Sequence, residues 1–498
     1  MTRPVRKRGR KPAAPQRQPA PVSVSDVDLG LDLNLSSRES MSLGLETHTH
    51  PHSHIQPQGY PPSTRTVNRL IHIYRDTMYQ CYFPFLPEKD LLTRWEDGIP
   101  SPSTASTAEK KGQETSYMLL MALCAVASQT VSMNAVFDTT LVQGLSARDT
   151  DERFYFERAV EMVPRVITGS STYEDDDDHN IVSEYGEEGG DGDKALDPLR
   201  TFGLLAVYSL RAGTYSNLHT YLSLYHALSA QHNFHDETLW LSSLSLQDID
   251  DRRRLFWCVY RLEIHSACVL GHPVRMPEAS VCVQYPRITP GMSPEMHAWT
   301  VGWSYVTDLF RLLEYAISCL RGARGGSTGG TGRKACLAVL CERPAPTTLV
   351  DILSQLKASK PRILRGLGVG ELQSNRCMYM SVQITCTETL VSIMALLYCQ
   401  APAWEVMAIA EGFLEEVTRA PLIMFKVASS QIVHQLLGVG HMLRNASQYE
   451  NGRYRTEAKR LIMFLGDLVG NLEGDIPSAV GAGERLVRLA EATSPSSL

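Results

Sequence analysis

The sequence predicts an all-α protein, in which a multi-helix domain follows a disordered N-terminal tail. Apolar residues recur at intervals of three and four along most of the chain, which is the spacing of one helix face. The strict alternation typical of strands is nearly absent, and no fixed-period repeat indicates a solenoid. Hydrophobic residues make up 43% of the 498 residues, which allows a sizeable core.

Composition divides the chain into four regions. Residues 1–64 are predicted to be a disordered basic tail, because they are rich in Pro, Ser, Gln and His and poor in apolar side chains. Residues 65–320 are expected to form the main helical domain, with an acidic insert at 171–194. Residues 321–346 are expected to be a Gly-rich and loop segment, and residues 347–498 a C-terminal helical region that packs on the main domain.

The order of the elements follows from apolar spacing and from helix-breaking residues. A helix at 67–78 precedes an extended strip at 83–87, a second helix from 88 and a loop at 98–112. Residues 117–131 are apolar nearly all round, which predicts a buried helix. Later helices are predicted at 153–166, 199–211, 219–231, 248–270, 301–320, 347–365, 375–399, 403–418, 421–444, 454–472 and 481–492. Loops are expected at 213–217 and 322–332.

The helix predicted at 248–270 is the most informative stretch. Asp248 and Asp250 place negative charge in its first turn, at the positive end of the helix dipole. Apolar residues occur on both of its sides, which predicts a central helix rather than a surface helix. Gly271 is predicted to be a left-handed C-cap, and Pro273 prevents the helix from continuing.

This stretch resembles the middle homology region of fungal zinc-cluster transcription factors. That family's pattern is Arg-Arg-Arg-Leu-Phe-Trp, then an acidic residue, then Gly-Arg-Pro. The corresponding residues here are Arg252, Arg253, Arg254, Phe256, Trp257, Glu263, Gly271 and Pro273. Glu263 stands where Asp is usual, and His272 replaces the Arg of Gly-Arg-Pro.

Pieces upstream extend the resemblance to about residues 66–290. Residues 70–74 and 83–86 resemble the family's opening helix and Phe-Pro turn, and 117–128 resemble its buried helix. Residues 231–236 resemble a segment usually written Gly-Leu-His-Arg-Asp, with Asn233 in place of Gly. The resemblance implies an all-helical regulatory domain of a transcription factor.

The triple arginine Arg252–Arg254 has two interpretations. It could be a DNA-binding patch, or a structural cluster that pairs with carboxylates of neighbouring helices. An arginine run inside a helix of an apolar domain favours the structural interpretation. The resemblance points the same way, since that family contacts DNA through a separate N-terminal module of six cysteines and two zinc ions.

The eleven cysteines are scattered, and the first is Cys81. We therefore expect the six-cysteine module to be absent from this chain, which either begins just after it or has lost it. Zinc is implied only if such a cluster lies upstream, and the chain itself is expected to hold no metal site, no other cofactor and no catalytic residue. The cysteines are expected to be reduced and mostly buried, as in the cytosol or nucleus.

The N-terminal cations Arg6, Lys7, Arg8, Arg10 and Lys11 form a basic run in a stretch without acids. Three interpretations stay open for this run. It could be a nuclear-import signal with general phosphate affinity, a remnant of the linker that follows the zinc cluster, or a minor-groove reader similar to an AT-hook.

Residues 29–35 alternate leucine with small or polar residues, beside Asp26 and Asp28. The pattern resembles a Leu-x-Leu-x-Leu repression motif that recruits corepressors, suits an acidic activation segment, and also fits a plain linker. The acidic stretch 174–193 holds ten acids and no Lys or Arg, and is interpreted as a solvated loop, with an activation segment as the alternative. An enzyme would need a titratable cluster, whose candidates are His72, His265, Glu263 and Arg254.

The sequence thus predicts a nuclear transcription regulator of the fungal zinc-cluster lineage that controls RNA polymerase II genes. The alternative is a DNA-binding-deficient corepressor or a partner that titrates a full-length relative. Expected partners are DNA (bound weakly or through a missing module), transcription co-regulators, a second copy of the chain and a small-molecule effector. No membrane partner is expected, because no apolar run reaches the ~18 residues of a span.

Overall fold

The computed structural model describes residues 62–80, 84–95, 107–136, 138–168, 196–325, 346–361, 364–365, 375–448, 452–473 and 476–493. These residues confirm the all-α prediction, since their only strand-type pairing is one parallel bridge between Asp236 and Cys282. The predicted N-terminal tail up to residue 61 and the acidic insert lie outside the described residues.

The first seven helices are α1 Thr64–Tyr74, α2 Glu88–Thr93, α3 Thr107–Ser132, α4 Glu152–Thr168, α5 Asp197–Ala212, α6 Tyr215–Gln231 and α7 Leu246–Leu270. The next seven are α8 Pro294–Gly325, α9 Pro346–Ser359, α10 Asn375–Tyr398, α11 Ala403–Val417, α12 Leu422–Gln448, α13 Arg455–Glu473 and α14 Ala482–Glu491. A π-helical turn, Arg75–Tyr79, continues α1, and the 3-10 turns include Glu237–Leu239 and Glu278–Ser280.

Several helix boundaries differ from the sequence predictions for local reasons. α3 begins at Thr107, inside the expected loop 98–112, because its first turns contain strong helix formers such as Ala108 and Lys110. α9 ends at Ser359 rather than at 365, since Pro361 disfavours the helical conformation of the residue before it. α8 continues past residue 320, so the expected domain boundary there falls inside a helix.

One hydrophobic core runs through the described helices from Val67 to Ala490. α3 packs against α1, α4 and α5, whereas α10 packs against α8, α11 and α12. α7 contacts α5, α8 and α12, so it lies between the N-terminal and C-terminal sets of helices. The two sets are therefore joined through α7.

Among the described residues, two helical stretches are long and apolar enough to cross a membrane, Gly112–Ser132 and Asn375–Tyr398. Neither contains an uninterrupted apolar run of ~18 residues, so the sequence criterion of an unbroken run does not detect them. In the structure, 83% and 89% of their most apolar windows are buried among other helices. Their apolar character is thus explained by their place in the core.

Candidate functional site

The central helix α7 is fixed at both ends. At its start the Ser245 hydroxyl accepts a hydrogen bond from the Asp248 N–H, and the Asp248 carboxylate accepts one from the Ser245 N–H, both at 3.1 Å. At its end Gly271 has a φ of 74°, the left-handed C-cap that the sequence predicts. From Leu255 to Val269 every side chain is buried, so its polar groups need partners inside the protein.

Arg253 is enclosed by a network of acceptors. Its guanidinium forms a two-point ion pair with Glu237 and donates to Asp250 Oδ1 at 3.3 Å. It also donates to the Tyr285 carbonyl at 3.3 Å and to Gln284 Oε1 at 3.1 Å. Arg253 therefore ties α7 to the Glu237–Leu239 turn and to the segment 282–287.

The two flanking arginines have partners as well. The Arg254 guanidinium donates to Asp251 Oδ1 at 2.9 Å, one turn earlier on α7. The guanidinium carbon of Arg252 lies 5.9 Å from the ring centre of Phe234 and 5.9 Å from that of Trp240, which is cation–π geometry. These contacts support the structural interpretation of the triple arginine over direct binding to DNA.

The motif also contains two neighbouring aromatic residues, Phe256 and Trp257, which are both buried. Trp257 donates its indole N–H to the Gln284 carbonyl at 3.0 Å, and its ring meets Tyr285 edge-on at 5.2 Å. Phe256 meets Trp257 edge-on at 5.3 Å. The segment 284–285 is thus held by both Arg253 and Trp257.

Asn233 explains one departure from the family pattern. Its φ is 49°, in the left-handed region that glycine favours and asparagine tolerates better than most residues. The family's usual sequence has glycine at this position, and glycine adopts this backbone conformation readily.

Glu263, the acidic residue of the motif, is 1% exposed and holds the chain that follows α7. Its Oε2 lies 2.9 Å from His226 Nε2, and its Oε1 accepts the Arg275 backbone N–H at 2.7 Å. Burial opposes ionisation of Glu263, but these two partners outweigh it and hold the pKa of the carboxyl below its usual value. Neither partner is predictable from the motif alone.

His272 stands where the family has arginine in Gly-Arg-Pro. Its Nδ1 lies 2.8 Å from the Ser266 hydroxyl, and its carbonyl accepts from Arg321 at 3.1 Å. Its ring meets His219 edge-on at 4.9 Å. Burial, with His219 and two arginines nearby, lowers the pKa of His272 to about 4, so the ring is neutral at physiological pH.

Two buried histidines connect α7 to α12. The rings of His265 and His434 are stacked with centres 5.7 Å apart, and His434 Nε2 lies 3.1 Å from the Tyr215 hydroxyl on α6. Burial lowers the pKa of both imidazoles, that of His434 to about 4. An uncharged polar contact thus joins three helices inside the core.

Further buried polar side chains lie on α10 and α12. Gln435 donates to Thr387 at 3.2 Å, and Leu390 lies against Gly438, so these parts of the two helices lie side by side. Gln383 on α10 and Gln431 on α12 are buried as well. We call the five side chains His265, Gln383, Gln431, His434 and Gln435 the polar seam. Each is at least 95% buried and has one polar atom without a hydrogen-bond partner among the described residues.

The residues that would suit an enzyme are not gathered into one cluster. Glu263 and His265 are two positions apart on α7 and therefore point in different directions. Glu263 binds His226, His265 stacks on His434, and Arg254 pairs with Asp251. Within the described ranges, no group of three or more His, Cys, Asp or Glu could hold a metal ion.

Most of the described cysteine side chains lie in the core. Five of the described cysteines are buried as thiols: Cys124, Cys258, Cys268, Cys377 and Cys386. Burial raises the pKa of the Cys258 thiol to about 11, which makes it an unreactive core residue. The cations Arg6, Lys7, Arg8, Arg10 and Lys11 lie outside the described residues.

Comparison with known families gives one match. Residues 71–295 match the family model of the fungal specific transcription factor domain, which is just under half of the chain. The matched region begins in α1, ends at the start of α8 and contains the motif Arg252–Pro273. Neither the curated proteins nor the solved structures gave a match.

Proposed function

We propose that this chain regulates transcription by RNA polymerase II in the nucleus, because residues 71–295 match the family model of the fungal specific transcription factor domain. The observation that carries the proposal is the family match, which includes the whole of α7. The matched family is a transcription factor domain and not an enzyme family. The contacts of Arg252–Arg254 support a scaffold role for α7, which would leave DNA contact to another part of the protein.

The basic run supplies the second part of the proposal. Arg6, Lys7, Arg8, Arg10 and Lys11 would bind import receptors or DNA phosphates, since they form a compact cationic stretch without acids. The chain would then reach its genes through this run, through an upstream module, or through a relative that binds DNA.

Substitution of these five residues by glutamine tests the second part. We expect the variant to lose nuclear accumulation, whereas a control with Arg3→Gln and Arg17→Gln, in the same tail, should keep it. Adding an unrelated import signal to the variant then separates two roles. Restored chromatin occupancy assigns the run to import, and occupancy that stays lost assigns it to DNA. A wild-type chain that never occupies chromatin and leaves transcript levels unchanged on deletion would contradict the proposal.

The helical domain would respond to an effector as well as to co-regulators. The polar seam supports this part, because buried amide oxygens and neutral imidazoles are suited to a small uncharged polar molecule with several hydroxyl or amide groups. Native mass spectrometry of the purified chain should then show a bound mass that the Gln431→Met variant lacks. The exposed control Gln247→Met should keep it, and a wild-type spectrum without the added mass would rule this effector out.

A further inference from the structure

A patch of exposed aliphatic side chains lies beside the start of α7. Leu239, Leu241, Leu246 and Ile288 are 60%, 52%, 66% and 50% exposed, whereas most large apolar residues of the described chain are buried. We call these four residues the aliphatic patch. Contiguous apolar surface of this kind on a folded domain marks a binding site more often than chance exposure does.

Backbone contacts bring the members of the patch together. The Glu237 N–H donates to the Cys282 carbonyl at 2.8 Å, and the Cys282 N–H donates to the His235 carbonyl at 2.9 Å. The Gln284 N–H also donates to Glu237 at 2.9 Å, so residues 282–284 lie beside 235–237, just before Leu239 and Leu241. Arg287 donates to the Leu246 carbonyl at 2.5 Å, which places Ile288 next to the first turn of α7.

We propose that residues 29–35 of this same chain dock on the aliphatic patch. In an extended segment, alternate residues point to the same side about 7 Å apart. The leucines at 29, 31, 33 and 35 would then form one apolar row, which matches a surface whose own Leu239 and Leu241 are two positions apart. The Arg287 guanidinium, 35% exposed at the edge of the patch, is already paired with Asp250 at 3.2 Å, so the proposed docking is apolar in character.

The length of the chain permits this contact anywhere on the domain. Residues 36–62 connect the leucine row to Ser63, the N-cap of α1, and can span about 90 Å when extended. A helical domain of this size is roughly 55 Å across. A segment tethered in this way is present at an effective concentration in the millimolar range, so even weak docking fills the patch.

The size of the patch favours the tethered segment over a second copy of the chain. Four half-exposed aliphatic side chains present on the order of 400 Å² of apolar surface. Two such patches would bury about 800 Å² in total, below the roughly 1,200 Å² at which stable dimer interfaces begin. While it is docked, the leucine row would be unable to bind co-regulators. A competing partner that displaces the row from the patch would make it available to them.

Hydrogen exchange on the full-length chain tests the proposal. Backbone amides in 239–246 should exchange about two- to tenfold more slowly in the wild type than in a variant with the leucines at 29, 31, 33 and 35 changed to serine. In the double variant Leu239→Ser, Leu241→Ser, the backbone amides of residues 26–38 should exchange faster than in the wild type, because their docking surface is lost. Because both side chains are exposed, this variant should fold normally, which circular dichroism checks.

The control is Phe464→Ser, which changes an apolar residue 40% exposed on α13, far along the chain from the patch. It should leave the protection of 26–38 unchanged. Equal exchange rates in the wild type and the tail variant would overturn the proposal. Protection of 239–246 that grows with protein concentration and survives the tail substitutions would assign the patch to a second copy instead.

Discussion

Replacing Arg253 with alanine should destabilise the protein more than the same change at its neighbour Arg254. Arg253 is 4% exposed, and its loss leaves the mostly buried carboxylates of Glu237 and Asp250 without the cation that they share. Removing one partner of a buried ion pair costs about 3–5 kcal/mol. Since the Gln284 N–H still binds Glu237 and Arg287 still binds Asp250, we expect a loss of about 3 kcal/mol.

Arg254 provides the matched control. Its side chain is more exposed, at 18%, and it pairs with Asp251 across one helical turn, while Asp251 keeps two hydrogen bonds from Gln247. Because Asp251 is the only carboxylate left behind, is 7% exposed and keeps its amide donor, we expect a loss of about 1–2 kcal/mol. Urea unfolding followed by circular dichroism should therefore give a lower midpoint for Arg253→Ala than for Arg254→Ala. Equal midpoints would refute the reasoning, as would an Arg253→Ala protein of wild-type stability that has lost DNA binding.

Three further predictions concern the core. Because burial lowers the pKa of His434 to about 4, the folded state binds fewer protons than the unfolded state below pH ~6.5. The free energy of unfolding should therefore fall by roughly 1.4 kcal/mol per pH unit from ~6.5 to ~4 for this residue. His434→Gln should make the fall of the urea midpoint over that range shallower, while His265 and His272 keep their own contributions. Gly203→Ala should lower the free energy of unfolding by about 1–3 kcal/mol, because the new Cβ would lie 2.6 Å from the Phe85 ring. Gly412→Ala on α11 should raise the free energy of unfolding in the same urea assay, because nothing lies within 4 Å of the new Cβ and alanine favours the helix. The fragment 62–295 should fail to unfold cooperatively, since α7 would lose its contacts with α8 and α12; a sharp thermal transition in that fragment would contradict the shared core.

Local features of the fold were predictable because they depend on neighbours in the sequence. The C-cap of α7 follows from Gly271, and its central place follows from apolar residues on both of its sides, whereas its N-cap, Ser245, was not predicted. The boundaries of α3 and α8 were wrong because helix-forming residues and a buried apolar face extend beyond the strongest periodic stretch.

The partners of the polar residues were not predictable in the same way. Glu263 binds His226 from the preceding helix and Arg275 from the following loop, and His265 meets His434 from the far end of the chain. A single sequence shows which residues need partners, since a buried carboxylate or imidazole must be satisfied. It does not show which distant helix supplies them, because that depends on how the helices pack.

The most direct test of a regulatory function is to tether the full chain to a reporter promoter through an unrelated DNA-binding module. This arrangement removes any dependence on the chain's own DNA contacts. With a module that carries its own nuclear-import signal, we predict that the tethered chain changes reporter transcription relative to the module alone. Arg253→Ala should weaken the change by destabilising the domain, and glutamine at the five basic positions should leave it intact. A folded, tethered chain that leaves reporter transcription unchanged would contradict the claim that this protein is a transcription regulator.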